Sequence, residues 1–240
     1  MKASIFELKE NNKKNYENLC AFLFEMDPSL GAPARKLSNP GALGLGGFGA
    51  AVIIFQLHSL GYVGIGPTMW TAIVLGGLMQ LIAGLHEFKT GNNFGYAAFN
   101  IFGGLWFCFG LIVLGKQFNW YELPRTDMGM LLIVFTLFTF LFLYPAANID
   151  MALFSTFAVL FIGFVFGDIA HFVDFKPLDV ISCLCFIVGG LLSWYIMAHV
   201  IFLDIFKKDI LPVGAPPLTT LMNRRHANPA GQSMRNEQHA

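Results

Sequence analysis

SNPGALGLGGFGAAVIIFQLHSLGY, residues 38–62, is the stretch whose reading decides the fold. Its segment 43–61 carries no Asp, Glu, Lys or Arg. At about 1.5 Å of rise per residue, a helix over that segment nearly matches the roughly 30 Å hydrocarbon core of a bilayer. Asn39 is a favoured helix cap and Pro40 suits the first helical position, so the sequence marks its own helix start. The first turns hold Gly41, Gly44, Gly46, Gly47 and Gly49. Two readings of these glycines stand side by side. They let a neighbouring helix pack closely, or they bare the free amides of a helix start, which attract a small carboxylate.

Working outward, five further apolar runs follow, at 68–87, 96–115, 128–144, 149–172 and 178–202. Turn or charge signals separate them: Gly61 to Pro67, the KTGNN of 89–93, the long loop 116–127, Pro145 with Asn148, and Asp174 to Pro177. The runs are continuously apolar and twice the length of an alternating barrel strand, which selects helices. The composition agrees: 55% hydrophobic, 26 Phe and only 12% charged, against about 25% charged in a soluble domain. The expected fold is an all-α membrane protein with six transmembrane helices.

Lys and Arg set the expected orientation. With the N-terminus inside, twelve of them lie on the inner side, and only Lys116, Arg125 and Lys176 lie outside. Arg35 with Lys36 before the first run and Lys207 with Lys208 after the last are the local signals. Both ends are therefore expected in the cytoplasm, in a multi-pass protein of a plasma or bacterial or archaeal inner membrane. The expected organisation is an N-terminal cytoplasmic segment over 1–38, a six-helix domain over 39–206 and a polar cytoplasmic tail over 207–240. Ile5, Leu8, Tyr16, Leu19, Phe22, Leu23 and Met26 form a helical stripe, read either as an amphipathic helix or as a solvated leader. The N-terminal stretch lacks the pattern of a signal peptide.

Polar side chains inside spans are costly and usually functional. Gln80 and Asn100 either hydrogen-bond a passing carboxylate or bond across helices. His58, Glu87, Asp168 and His171 are candidate proton-relay groups, with ordinary interfacial polarity as the alternative. Cys108, Cys183 and Cys185 lie in apolar runs and, with Cys20, are expected to be buried, reduced thiols; their spacing fits no metal site. No P-loop, GxSxG or HExxH occurs. No enzyme, cofactor or metal is expected. The net formal charge is zero, so no nucleic-acid partner is expected either.

Four segments in order resemble one family. NPGALGL (39–45) resembles the NPAPLGL signature of the acetate uptake transporters, also called the YaaH or succinate–acetate permease family. GGLMQLIAGLHEFKTGNNF (76–94) and FGYAAFNIFGGLW (94–106) are similar to that family's second and third helices. LPVG (211–214) is similar to the motif after its sixth. Gly41 and Ala42 depart from the usual Ala and Pro, which loosens the turn that opens the first helix. The resemblance implies a cyclic homo-hexamer with one pathway per subunit, carrying acetate, related monocarboxylates or succinate, with a proton or as an anion channel. It implies an apolar constriction at Phe48, Phe102 and Phe157, and a substrate-binding signature at Asn39, Pro40, Gly41, Leu43, Gly44 and Leu45. Ammonia or ammonium transport and a non-transporting sensor or scaffold are the alternatives.

Overall fold

In hydrocarbon every backbone amide must find its partner within the protein, and long helices do this one span at a time. The computed structural model describes residues 13–18, 38–173 and 175–220, and those residues contain no strand. Among the described residues, six helices are long and apolar enough to cross a membrane. They are α1 (Gly41–Ser59), α2 (Ile65–Thr90), α3 (Asn93–Gln117), α4 (Arg125–Ala146), α5 (Met151–Phe172) and α6 (Lys176–Phe206). Each coincides with one of the apolar runs, and most extend them by two or three residues into the flanking polar sequence.

The chain divides into two units, 1–38 and 39–240. In the first, residues 13–18 form an exposed helical turn. The rest of the stripe expected over 5–26, like the tail after residue 220, lies outside the described residues. All six long helices belong to the second unit.

Capping explains where several helices begin. The Asn39 side chain accepts from the Gly41 amide at 2.9 Å at the start of α1. Asn92 takes the Gly95 amide at 3.1 Å to start α3, and Asp150 takes the Leu153 amide at 2.7 Å to start α5. Each satisfies a donor that a helix start leaves orphaned. Pro145 does not end α4. It sits in the last turn, and the helix closes one residue later at Ala146.

Helix α1 packs between α2 and α6; α2 then meets α3, and α6 runs through α5 to α4. The circle closes between α3 and α4 through aromatic rings. Phe102 lies 6.2 Å from Phe135 and 6.1 Å from Phe142, centroid to centroid. The glycines of α1 serve mainly its packing. A side chain at Gly47 would collide with the Leu75 carbonyl oxygen of α2, and one at Gly49 would begin 2.8 Å from the Gly190 carbonyl oxygen of α6. Gly44 is filled by the Phe99 ring of α3. Backbone therefore lies almost against backbone on both sides of α1, the contact that holds helices together where lipid offers no hydrophobic gain.

Helix α2 contains a feature the sequence does not announce: residues Ala72–Met79 form a π-helical segment. The widened turn lies where Gly76 packs on Ala51 and Trp106, and Gly77 on Phe107. Helix α6 has 31 residues, about 46 Å of helix, and reaches well beyond the hydrocarbon core at one end. There Lys207 turns the chain with φ 53°. The segment carrying LPVG returns to the α4–α5 turn. The Ala152 amide donates to Val213 O at 2.9 Å, the Leu218 amide to Ala147 O at 3.1 Å, and the Tyr195 hydroxyl to Pro212 O at 2.9 Å. Gly214 makes the return possible at φ 79°, a left-handed value that side-chain-bearing residues avoid. Cys183 is buried as expected, whereas Cys108 is exposed on the outside of α3.

The close approach of α1 and α6 gives a direct test. Gly49→Leu should separate the two helices and abolish recovery of monodisperse protein in mild detergent, whereas Gly104→Ala, which meets nothing within 4 Å, should leave the yield unchanged. Size-exclusion profiles of the two variants check this.

Candidate functional site

Four helices, α1, α3, α5 and α6, carry small or aromatic residues on their facing sides, and two cavities lie end to end between them. The first, of about 240 Å³, opens towards the face that holds the start of α1, the end of α6, and the α2–α3 and α4–α5 turns. The second, of about 640 Å³, opens towards the opposite face, where the three remaining turns lie. No residue lines both cavities. On each helix the lining passes from one cavity to the other within about two turns: Phe48 to Val52 on α1, Phe102 to Leu105 on α3, Leu160 to Phe164 on α5 and Ser193 to Phe186 on α6.

The layer between the cavities is aromatic. Phe102 stands edge-on to Phe48 at 6.3 Å and to Phe157 at 6.2 Å. Phe102 is 5% exposed and Phe157 6%. The three phenylalanines singled out in the sequence thus meet in one cluster, with Phe102 at its centre. Phe94 and Phe142 extend it, at 5.6 and 5.7 Å from Phe157. These two were not singled out; one Phe among 26 carries no label of its own in the sequence. Water in such a layer would lose its partners, and an isolated carboxylate would lose at least several kcal/mol of hydration.

The signature residues divide by position. Asn39, Gly41 and Leu45 line the smaller cavity, while Leu43 points away and is 39% exposed. Pro40 accepts from the Leu43 and Gly44 amides at 3.0 and 3.2 Å, so those donors belong to the helix and do not face a ligand. The start of α1 has a carboxyl beside it already. Glu87, 3% exposed, lies with Oε1 3.2 Å from where a Gly41 side chain would begin. It accepts from the Thr90 hydroxyl and the Asn92 side chain, both at 3.0 Å. Glu87 therefore ties the end of α2 to the starts of α1 and α3, at the positive pole of two helix dipoles.

Of the two expected amides, Gln80 lines the smaller cavity and is 1% exposed; its Nε2 donates to the Gly76 carbonyl in the π-segment. Asn100 lines neither cavity. It donates to Tyr96 O at 2.7 Å and fills the space left by Gly84 between α2 and α3, so it serves packing.

Of the four titratable candidates, Asp168 and His171 lie one turn apart on α5, and His58 and Glu87 stand elsewhere. His171 lines the larger cavity, with Nδ1 2.7 Å from Gly167 O. Asp168 faces α4, where Thr136 donates to its Oδ2 at 2.6 Å; its Oδ1 is buried without a partner. His58 closes the α1–α2 turn through Val63 O at 2.7 Å. Glu87 stands at the far end of the molecule. Gln56 and Asp150 are among the polar groups at the cavities that sequence reasoning missed. Gln56, 5% exposed, lines the larger one, eight residues from Phe48 on the same face of α1. Asp150 lines the smaller one. No group of three or more metal-ligating side chains occurs among the described residues.

Asp150 precedes α5, outside the span. Burial pushes its carboxyl above the ordinary range, while the Leu153 amide, nearby His199 and the Ala152 amide pull it back in part. A carboxyl raised on folding binds more protons in the folded chain, so its contribution to stability is present in acid and is lost as pH rises through its folded-state value. Asp150→Asn keeps a favoured cap and removes the charge. The melting temperature in detergent should therefore fall more between about pH 4 and about pH 7 for the native chain than for Asp150→Asn.

Comparison with known proteins agrees with this architecture. Residues 22–206 match the GPR1/FUN34/yaaH family. The succinate-acetate/proton symporter SatP of Escherichia coli K12 is 33% identical over 190 residues, covering 75% of this chain and 96% of that one. The ammonia transport outward protein 2 of Saccharomyces cerevisiae is 29% identical over 185 residues, covering 73% of this chain and 66% of that one. The solved structure of the bacterial acetate channel SatP superposes with a TM-score of 0.72 at 28% identity, covering 75% of this chain and all of that chain. With its six apolar helices and this match over most of its length, the chain is an integral multi-pass membrane protein and belongs to the GPR1/FUN34/yaaH family.

Proposed function

We propose that this protein carries acetate and related small monocarboxylates across the membrane, along the axis that joins the two cavities. The observation that carries the reading is the aromatic layer of Phe48, Phe102 and Phe157 standing between two open chambers. A hydrated ion does not cross such a layer, whereas a molecule with two carbons can slip between rings that rotate aside. Relatives named acetate permease A and succinate-acetate/proton symporter support the substrate class. Both ends of the chain are assigned to the cytoplasm on the Lys and Arg asymmetry, which makes the smaller cavity the inner vestibule and the larger the outer. The reading includes a homo-hexamer, which would cover apolar side chains exposed on the outside of α2, α4 and α6. It assigns transport to the chain and no catalytic step.

Charge must be offset on the way through. Asp168 and His171 are neighbours on α5, but His58 sits in the α1–α2 turn and Glu87 at the other end of the helices, so the four form no continuous chain along the axis. The reading therefore has the proton travel with the acid. The second reading, movement of ammonia, rests on relatives named ammonia transport outward proteins. A dry layer also suits that small neutral solute.

Uptake of labelled acetate into proteoliposomes tests the reading. At about pH 7 under about 1% of a carboxylic acid is neutral, but that fraction crosses lipid by itself, so every uptake is read as initial rate against empty vesicles under the same pH gradient. The protein should raise uptake above that of empty vesicles, and an alkaline interior should raise it further. Uptake equal to that of empty vesicles, with methylammonium passing instead, would favour ammonia. In the same assay Phe102→Ala should increase succinate flux several-fold relative to acetate; an unchanged ratio would remove Phe102 from the constriction.

A further inference from the structure

The larger cavity holds a side chain whose chemistry the aromatic layer alone does not require. Gln56 is buried to within 5% and lines that cavity. Among the described residues its amide has no hydrogen-bond partner. It is not sealed away: no side-chain atom of Gln56 is both unpartnered and fully enclosed, so the amide opens onto the cavity. Around it the lining is apolar and aromatic, with Val52, Phe55, Trp106 and Phe164. The charged and titratable groups of the same cavity, Arg125, His171, Lys176 and Asp179, come from α4, α5 and α6. Arg125 is engaged there, donating to Ala170 O at 2.7 Å and to Asp179 at 3.2 Å.

A buried carboxamide costs stability unless water or a ligand in the cavity satisfies it. What satisfies it best follows from its own geometry. A primary amide offers an acceptor oxygen and a donor N–H side by side. A protonated carboxylic acid offers the mirror arrangement, an O–H donor beside a C=O acceptor. The two close a ring with two hydrogen bonds and leave no charge. A carboxylate has no proton to give and satisfies only the N–H, leaving the amide oxygen unpaired against an ion in an apolar chamber.

We infer that Gln56 is the recognition group on the outer side of the constriction, that it selects the neutral, protonated form of a small carboxylic acid, and that small primary carboxamides such as acetamide bind there by the same paired hydrogen bonds. This inference rests on the carboxylate-transport reading above. It assigns the proton to the substrate itself, taken from water at the outer mouth and released in the inner vestibule. Gln56 and Phe48 lie on one face of α1, two helical turns apart, so the acid is held just before the aromatic layer.

The test uses the full chain in proteoliposomes, with acetamide as the probe. Acetamide outside should inhibit labelled acetate influx into vesicles holding the native protein. Gln56→Leu, nearly isosteric but without the amide, should weaken that inhibition about tenfold, the loss expected for paired neutral hydrogen bonds. Gln56→Asn should retain part of it. Saturation-transfer NMR on detergent-solubilised protein reads acetamide binding directly and does not depend on acetate flux. A monodisperse elution profile guards against a folding defect in either variant. Acetate flux without acetamide competition, or competition equal in the native protein and Gln56→Leu, overturns the inference and leaves the transport reading standing. Acetamide binding lost in Gln56→Leu, in a protein that moves no acetate, overturns the transport reading instead.

Discussion

Everything in this molecule depends on the near-contact of glycine backbone on both sides of α1. Apolar side chains gain nothing from leaving lipid for one another, so the helices must earn their association through close packing. Gly47 on Leu75 and Gly49 on Gly190 bring α1 against α2 and α6 at van der Waals distance. That placement turns the remaining face of α1 inward, with Leu45, Phe48, Val52 and Gln56 on the axis. Widen either contact and Phe48 no longer reaches Phe102. The contact of Phe48 with Phe102 is thus a consequence of how the helices touch on the sides away from it.

The same geometry divides the labour among polar groups. Those at the ends of the helices are structural. Asn39, Asn92 and Asp150 satisfy helix starts, Glu87 holds the Asn92 side chain, and Tyr195 and His199 hold the returning segment after α6, His199 with Nδ1 2.6 Å from Leu211 O. Thr156 and Ser193, on the smaller cavity, turn their hydroxyls to their own helices, donating to Ala152 O at 2.8 Å and Gly189 O at 2.9 Å. Their cavity surface is accordingly less polar than their names suggest. Gln56 and Gln80 remain as amides on opposite sides of the aromatic layer, one without a partner among the described residues and one bonded through its nitrogen to Gly76.

Much of the fold is legible in the sequence because lipid imposes one constraint on every span. Continuous apolar length marks six helices, and Gly, Pro and Asn mark their ends within a few residues. The π-segment of α2 is not legible, since AIVLGGLM reads equally well as ordinary helix and only its neighbours select the wider turn. The site is partly legible. Resemblance points to Phe48, Phe102 and Phe157, and the structure brings them into one cluster. Composition cannot separate them from Phe94 on α3 and Phe142 on α4, which touch the same cluster. Asn100 and Gln56 show the limit of reading polarity alone. Both are amides inside spans, but the direction each faces depends on crossing angles that no local pattern encodes. Asn100 turns to Gly84, and Gln56 to the cavity. The anion-binding start expected for α1 likewise looks open in the sequence, where Glu87 lies 46 residues further along the chain, yet the fold places that carboxyl beside it.

The central claim is that two chambers on one axis are kept apart by an aromatic layer. Sided labelling of single cysteines in an otherwise cysteine-free chain tests it most directly. Gln56→Cys should react with a membrane-impermeant thiol reagent only from the face of the α3–α4 loop, and Leu153→Cys only from the face that holds the start of α1 and the end of α6. Reaction of either cysteine from both faces, or of neither from any, would contradict the account.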